Sequence, residues 1–145
     1  MTPIYEIYNE FKDKITDYDL AAYSIGLQEE LLESYLKKAC GRFGRICRQD
    51  ILNIVDDNGE PSFAADLTAD EIDIITEWML VYWLAPIRND LDNLRNRINT
   101  AEFSSISPAN MQIAIEASYE ASRSRARSIM NEYSYIHGDF NKFAT

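Results

Sequence analysis

The amino-acid sequence predicts a mainly α-helical fold: a small domain of about five helices, the last of them long, with one short hairpin fitted between residues 51 and 65. Three observations carry this expectation. Apolar residues recur at steps of three and four along most of the chain, which puts them on one side of a helix. Thr68 and Glu71 stand three apart at the start of the most apolar stretch, as a capping box requires. Ser107-Pro108 at one end and Gly138 at the other frame an uninterrupted helical pattern, with a cap and a first-turn proline in front and a stop behind. With 145 residues, 46% of them hydrophobic and 26% charged, the chain is sized and composed for a single packed domain.

Ile4, Ile7 and Phe11 follow Pro3 at helical spacing, and Thr16 to Asp19 break the pattern, so residues 1–26 read as an N-terminal helix and a loop. A second stripe runs Leu27, Leu31, Tyr35, with Leu32, Leu36, Ala39, Cys40 and Phe43 beside it. Gly41 and Gly44 mark its end, because glycine tolerates the left-handed residue that often closes a helix. Ile51, Leu52, Ile54 and Val55 fit either a helical turn or a strand. Asp56-Asp57-Asn58-Gly59 is a turn signal on which a hairpin with Ser62-Phe63 can be built. It is no calcium loop: with Gly59 at the sixth loop position, Ile54 would stand first, where an acid is needed.

The helix opened by Thr68 carries Ile72, Ile75, Met79 and Tyr82 on one stripe. Every residue from Trp78 to Leu84 is apolar or aromatic, so this helix is the expected centre of the core, with Trp78, Met79, Tyr82 and Trp83 in its middle. Pro86 should end or kink it. Ile87, Leu91, Leu94 and Ile98 then predict a fourth helix, with Arg88, Asp92 and Arg95 pairing along its other face. The last helix, of roughly 30 residues, would span about 45 Å. Its seam of Ile115, Tyr119, Ser122, Ala126, Ile129, Tyr133 and Ile136 is near-heptad, and it suits either the domain's own core or a neighbouring subunit. Residues 139–145, with Phe140 and Phe143, read as a tail, flexible or docked on a partner.

The formal net charge is −10, and residues 49–77 hold nine acids and no Lys or Arg, which disfavours phosphate and DNA binding. Basic residues cluster at Lys37, Lys38, Arg42, Arg45 and Arg48 and again at Arg123, Arg125 and Arg127; they read as a solvated face or a subunit contact. Cys40 and Cys47 would lie about 10 Å apart on one helix, too far for a disulfide, and read as small buried hydrophobes. His137 is the sole histidine, so a Ser-His-Asp triad or a multi-histidine metal site is not available. With no P-loop, dinucleotide fingerprint or Cys-x-x-Cys pair, the expectation is a binding protein with no catalytic residue, cofactor or metal. No apolar run reaches the length of a bilayer crossing, and the N-terminus lacks the features of a secretory signal, so an intracellular product without membrane contact is expected.

Leu67-Thr68-Ala69-Asp70-Glu71-Ile72, Glu77-Trp78-Met79, Tyr82-Trp83-Leu84-Ala85-Pro86, Asp92-Asn93-Leu94, Asn99-Thr100-Ala101-Glu102-Phe103 and Ser107-Pro108-Ala109-Asn110 together resemble small structural proteins of the tailed-phage neck. More broadly, residues 27–137 resemble the head-tail adaptor, or head-completion, family. That resemblance implies a homo-oligomeric ring joined to the portal protein and to a stopper or tail-completion protein, with DNA passing through the lumen. The location it implies is the virion neck, reached from the host cytoplasm during assembly. The alternatives are a cytoplasmic helical interaction or regulatory module and, behind it, a small enzyme using Arg42, Arg45 and Arg48. Candidate interface residues are Arg123, Arg125, Arg127, Tyr133, Tyr135, Ile136, Phe140 and Phe143: cations for the acidic 49–77 face of a next copy, and apolar anchors for docking.

Overall fold

The computed structural model describes residues 1–18, 20–24, 27–88 and 108–137. Among these are four α-helices and, beside the first of them, a small three-stranded antiparallel sheet. Strand β1 (Thr2–Pro3) leads into α1 (Ile4–Asp17), a 3₁₀ turn covers Ala21–Ser24, and α2 spans Glu29–Phe43. The hairpin of β2 (Ile54–Asp57) and β3 (Glu60–Phe63) follows, then α3 (Ala69–Arg88) and α4 (Pro108–His137). The expected fourth helix, from Ile87 to Ile98, lies beyond Arg88 almost wholly outside the described residues.

Helix α3 is the hub, packed on α1, α2 and α4. The capping box forms: the Thr68 amide donates to Glu71 Oε1 at 2.8 Å, and the Glu71 amide donates to Thr68 Oγ1 at 3.2 Å. Trp78, Met79 and Trp83 are fully buried, as the apolar run requires, and Tyr82 is half-buried. Phe11 meets the Trp83 ring edge-on at 6.0 Å, which fixes α1 against the hub. Pro86 does not end α3. The proline forfeits one backbone bond close to the helix end, and buried Leu84 and Ile87 on either side of it hold the last turn in place. Arg88 reaches α4, with Glu116 at 3.7 Å, Glu120 at 3.8 Å and the Tyr119 ring at 3.8 Å, while Asp92 and Arg95, expected beside it on one helix face, lie outside the described residues.

Two faces differ from the expected ones. On α2 the buried set is Leu32, Tyr35, Leu36, Ala39, Cys40 and Phe43, while Leu31 stays exposed, so the inward face is centred one residue away from the Leu27-Leu31-Tyr35 stripe. Gly44, which caps α2, is right-handed, with φ −60. Its need for glycine is steric: a Cβ there would come within 2.7 Å of the Cys40 carbonyl oxygen and 2.9 Å of Leu52. On α4 the seam turns to the chain's own α3, burying Met111, Ile115, Tyr119, Ser122, Ala126, Met130 and Tyr133. Only its last member, Ile136, is left exposed.

The hairpin forms on the expected turn. Asn58 (φ 53) and Gly59 (φ 91) both take left-handed geometry, and Asp57 faces Glu60 across the two-residue loop. Asp56 Oδ1 accepts from the Gly59 amide at 2.8 Å and so holds the turn from its side chain. β1, which short-range pattern does not reveal, adds to β3 through Thr2 opposite Phe63 and Pro3 opposite Ser62. Thr2 Oγ1 locks it there, donating to the Ala65 carbonyl at 3.0 Å and accepting from the Leu67 amide at 2.8 Å.

Candidate interaction surfaces

A groove of about 550 Å³ opens between α1, α2 and the hairpin. Ile4 and Tyr8 of α1, Leu36 and Cys40 of α2, and Ile51, Leu52, Ile54 and Pro61 form its apolar lining. Glu29, Glu33 and Lys37 stand on its rim, where Lys37 pairs with Glu33 at 2.9 Å. The register explains why the hairpin contributes to it: Ile54 lies opposite Phe63 and Asp56 opposite Pro61, so these four side chains share one face of the sheet. Phe63 fills the core beneath, whereas Ile54, farther out, remains 43% exposed. Burial, with the negative charges of Glu33 and Glu29, pushes the Tyr8 hydroxyl up to about 12, so it stays a neutral donor at the groove wall.

Two buried polar clusters tie the elements together. In the first, Glu71 is both capping residue and joint: its Oε2 accepts from the Tyr133 hydroxyl at 2.8 Å and from Cys47 Sγ at 3.5 Å. The Tyr133 hydroxyl in turn accepts from the Arg48 amide at 3.0 Å, and its ring meets Phe43 at 5.0 Å. One carboxylate thus joins the start of α3, the end of α4 and the 44–48 loop. Burial by itself would raise the Glu71 carboxyl, but the bonds from Thr68, Tyr133 and Cys47 outweigh it and hold it below its ordinary value.

The second cluster is centred on Glu77, whose side chain is fully buried. Lys14 of α1 donates to Glu77 Oε2 at 2.7 Å and to Asp73 Oδ1, and the Tyr18 hydroxyl lies 3.2 Å from Glu77 Oε2. Arg125 of α4 reaches Asp73 at 3.3 Å and Glu77 at 3.7 Å. Two cations meet two carboxylates, which is the balance a buried charge cluster needs. Burial would raise the Asp73 carboxyl; the hydrogen bond and charge of Lys14 more than offset that and lower it.

The expected interface residues therefore divide. Tyr133 is buried in the Glu71 joint. Arg125 meets Asp73 and Glu77 of its own chain. Arg123 is half-buried and Arg127 exposed, while Tyr135 and Ile136 are 76% and 63% exposed at the end of α4. Phe140 and Phe143 lie outside the described residues. The acidic 49–77 stretch is likewise split: Glu71, Asp73 and Glu77 work inside the fold, whereas Asp56 and Glu60 are exposed at the hairpin. The groove went unpredicted, although its signal was the undecided run Ile51, Leu52, Ile54.

Burial pushes the Cys40 thiol up to about 12 and the Cys47 thiol up to about 11, which makes both poor nucleophiles. Both cysteines are free. Arg42, one of the basic residues on which an enzyme reading depended, lies over the Trp78 ring at 4.5 Å. Among the described residues, no group of three or more His, Cys, Asp or Glu side chains is placed to hold a metal ion, and no helix is long and apolar enough to cross a membrane. Comparisons with protein-family models, with curated proteins and with solved structures find no match.

Proposed function

We propose that this chain is a non-catalytic assembly protein: a subunit of an oligomeric ring in a phage neck that joins the portal to the stopper or tail and lets DNA pass. The observation that carries the assembly part of this reading is the open apolar groove between α1, α2 and the hairpin, with Leu52 and Ile54 exposed along it. A surface of this kind gains from being covered by another protein. The buried polar residues fit the same reading, because Glu71 and Glu77 are engaged in joining helices.

The neck assignment itself comes from the resemblance of the Leu67–Asn110 motifs to head-tail adaptor proteins. It is physically consistent with an acidic chain of net charge −10, since a negative lumen repels the duplex and lets it slide. Native mass measurement and electron microscopy of the purified chain, alone and co-expressed with a portal protein, test the proposal. Rings or a stable portal complex are expected. A chain that stays monomeric and is not retained by the portal overturns it in favour of the second reading, a helical regulatory module, for which the same groove would be the partner site.

A further inference from the structure

We infer that the acidic hairpin of one copy seats on the basic loop after α2 in a second copy. The inference deepens the assembly reading and rests on it only in taking the partner to be this same chain. Two composite patches carry it. The first is basic and apolar: Arg45 and Arg48 are exposed and meet no carboxylate among the described residues, and Tyr135 and Ile136 are exposed at the end of α4. The bond from the Arg48 amide to the Tyr133 hydroxyl, at 3.0 Å, holds the loop against that helix end, so the cations stand near the turn that carries Ile136, about 60° around the helix from Tyr133, whereas Tyr135 lies about 200° around it. The second patch is acidic and apolar: Leu52 and Ile54 are 66% and 43% exposed, and Asp56, Asp57 and Glu60 follow along the hairpin with no Lys or Arg paired to them among the described residues.

These patches match in kind, since each sets exposed aliphatic or aromatic side chains beside charges of one sign, and the signs are opposite. They also adjoin. Leu52 packs beside Gly44, next to Arg45, while the acids at the hairpin tip lie about 16 Å further along at strand rise. One surface thus runs from basic to apolar to acidic, and a second copy with the reverse order meets it with every charge opposed by its complement. In a chain of net charge −10, two copies attract only where such local pairing outweighs the general repulsion. A pairing in which both patches of both copies meet closes a dimer, whereas a hairpin that engages only the loop of the next copy repeats in one direction and closes a ring.

The test is a charge-swap cycle followed by sedimentation equilibrium of the full chain. Asp57→Arg with Glu60→Arg reverses the hairpin and leaves Asp56 to hold the turn; Arg45→Glu with Arg48→Glu reverses the loop and keeps the Arg48 backbone bond. Each pair should weaken self-association by at least about tenfold, and the fourfold variant, with both patches reversed, should restore it. Unchanged melting of the variants shows that folding is intact. Self-association that ignores the reversals, or a fourfold variant no better than the double ones, overturns this contact and leaves the ring reading standing. A dimer that obeys the cycle keeps the contact and overturns the ring, and a parent chain that never associates overturns both.

Discussion

Replacing Tyr133 with phenylalanine isolates the joint between α3, α4 and the 44–48 loop, because the ring stays on Phe43 and only the hydroxyl is lost. That hydroxyl makes two bonds, donating to the Glu71 carboxylate at 2.8 Å and accepting from the Arg48 amide at 3.0 Å. A hydrogen bond to a charged group contributes about 1.5–3 kcal/mol and a neutral one about 0.5–1.5. Arg48 sits in an exposed loop where water can replace part of the second bond, so the total cost should be about 2–3 kcal/mol. For a domain of this length each kcal/mol shifts Tm by about 3–4 °C, which sets the expected drop at about 6–12 °C by calorimetry or circular dichroism. The change should also speed amide hydrogen exchange in the 44–48 loop, which loses its tie to α4. A variant that melts within about 2 °C of the parent would show that Tyr133 merely fills space and that Glu71 does not join the elements.

Other perturbations read the same clusters. The carboxyls of Glu71 and Asp73 are depressed on folding from ordinary values of 4.5 and 3.8, so their contribution is present above those values and lost as pH falls through the folded ones. Thermal stability of the parent should therefore decline below about pH 4.5, and less steeply in Tyr133→Phe; equal slopes count against the Tyr133 bond. Lys14→Met leaves buried Glu77 with only Arg125 and Tyr18 as partners and should cost about 2–4 kcal/mol in urea unfolding, and adding Glu77→Leu should recover much of it because the stranded charge is gone. No recovery in the double variant means that the cost was packing and not charge. Cys47, raised from 9.0 to about 11, should react with iodoacetamide at pH 8 about a hundredfold more slowly in the native chain than in urea. A native rate equal to the unfolded one places the thiol in water.

What the sequence reveals and what it hides follow from the range of the interactions involved. The α3 start was legible because Thr68 and Glu71 satisfy each other within one turn, and the hairpin turn because Asn58-Gly59 supplies its own backbone geometry. Both are local. The third strand was not legible, since Thr2 pairs with Phe63 at the far end of the first half of the chain and nothing in Met1-Thr2-Pro3 marks a partner. The centring of α2 on Leu32 and Leu36 rather than Leu31 was hidden for a related reason: a helix with apolar residues on adjacent stripes takes its inward face from what it packs against, here α3.

The same distinction explains why the candidate surface had to be reassigned. Arg123, Arg125 and Arg127 look equivalent in sequence, yet helical geometry turns them about 200° apart in successive pairs, and only Arg125 falls over the acidic step of Asp73 and Glu77 on α3. A buried carboxylate recruits the nearest cation of its own chain, because leaving it unpaired costs several kcal/mol whereas a surface cation loses little by moving. Among the acids that are not drawn inside, Asp56, Asp57 and Glu60 sit on a hairpin that no helix covers deeply enough to demand a cation. Arg45 and Arg48 remain outside because the loop that carries them is fixed through its backbone, by the Tyr133 hydroxyl, leaving the guanidinium groups uncommitted by that bond. Charges engaged inside hold this fold together, and charges left over at the hairpin and the loop are the ones that the proposed contact between copies would use.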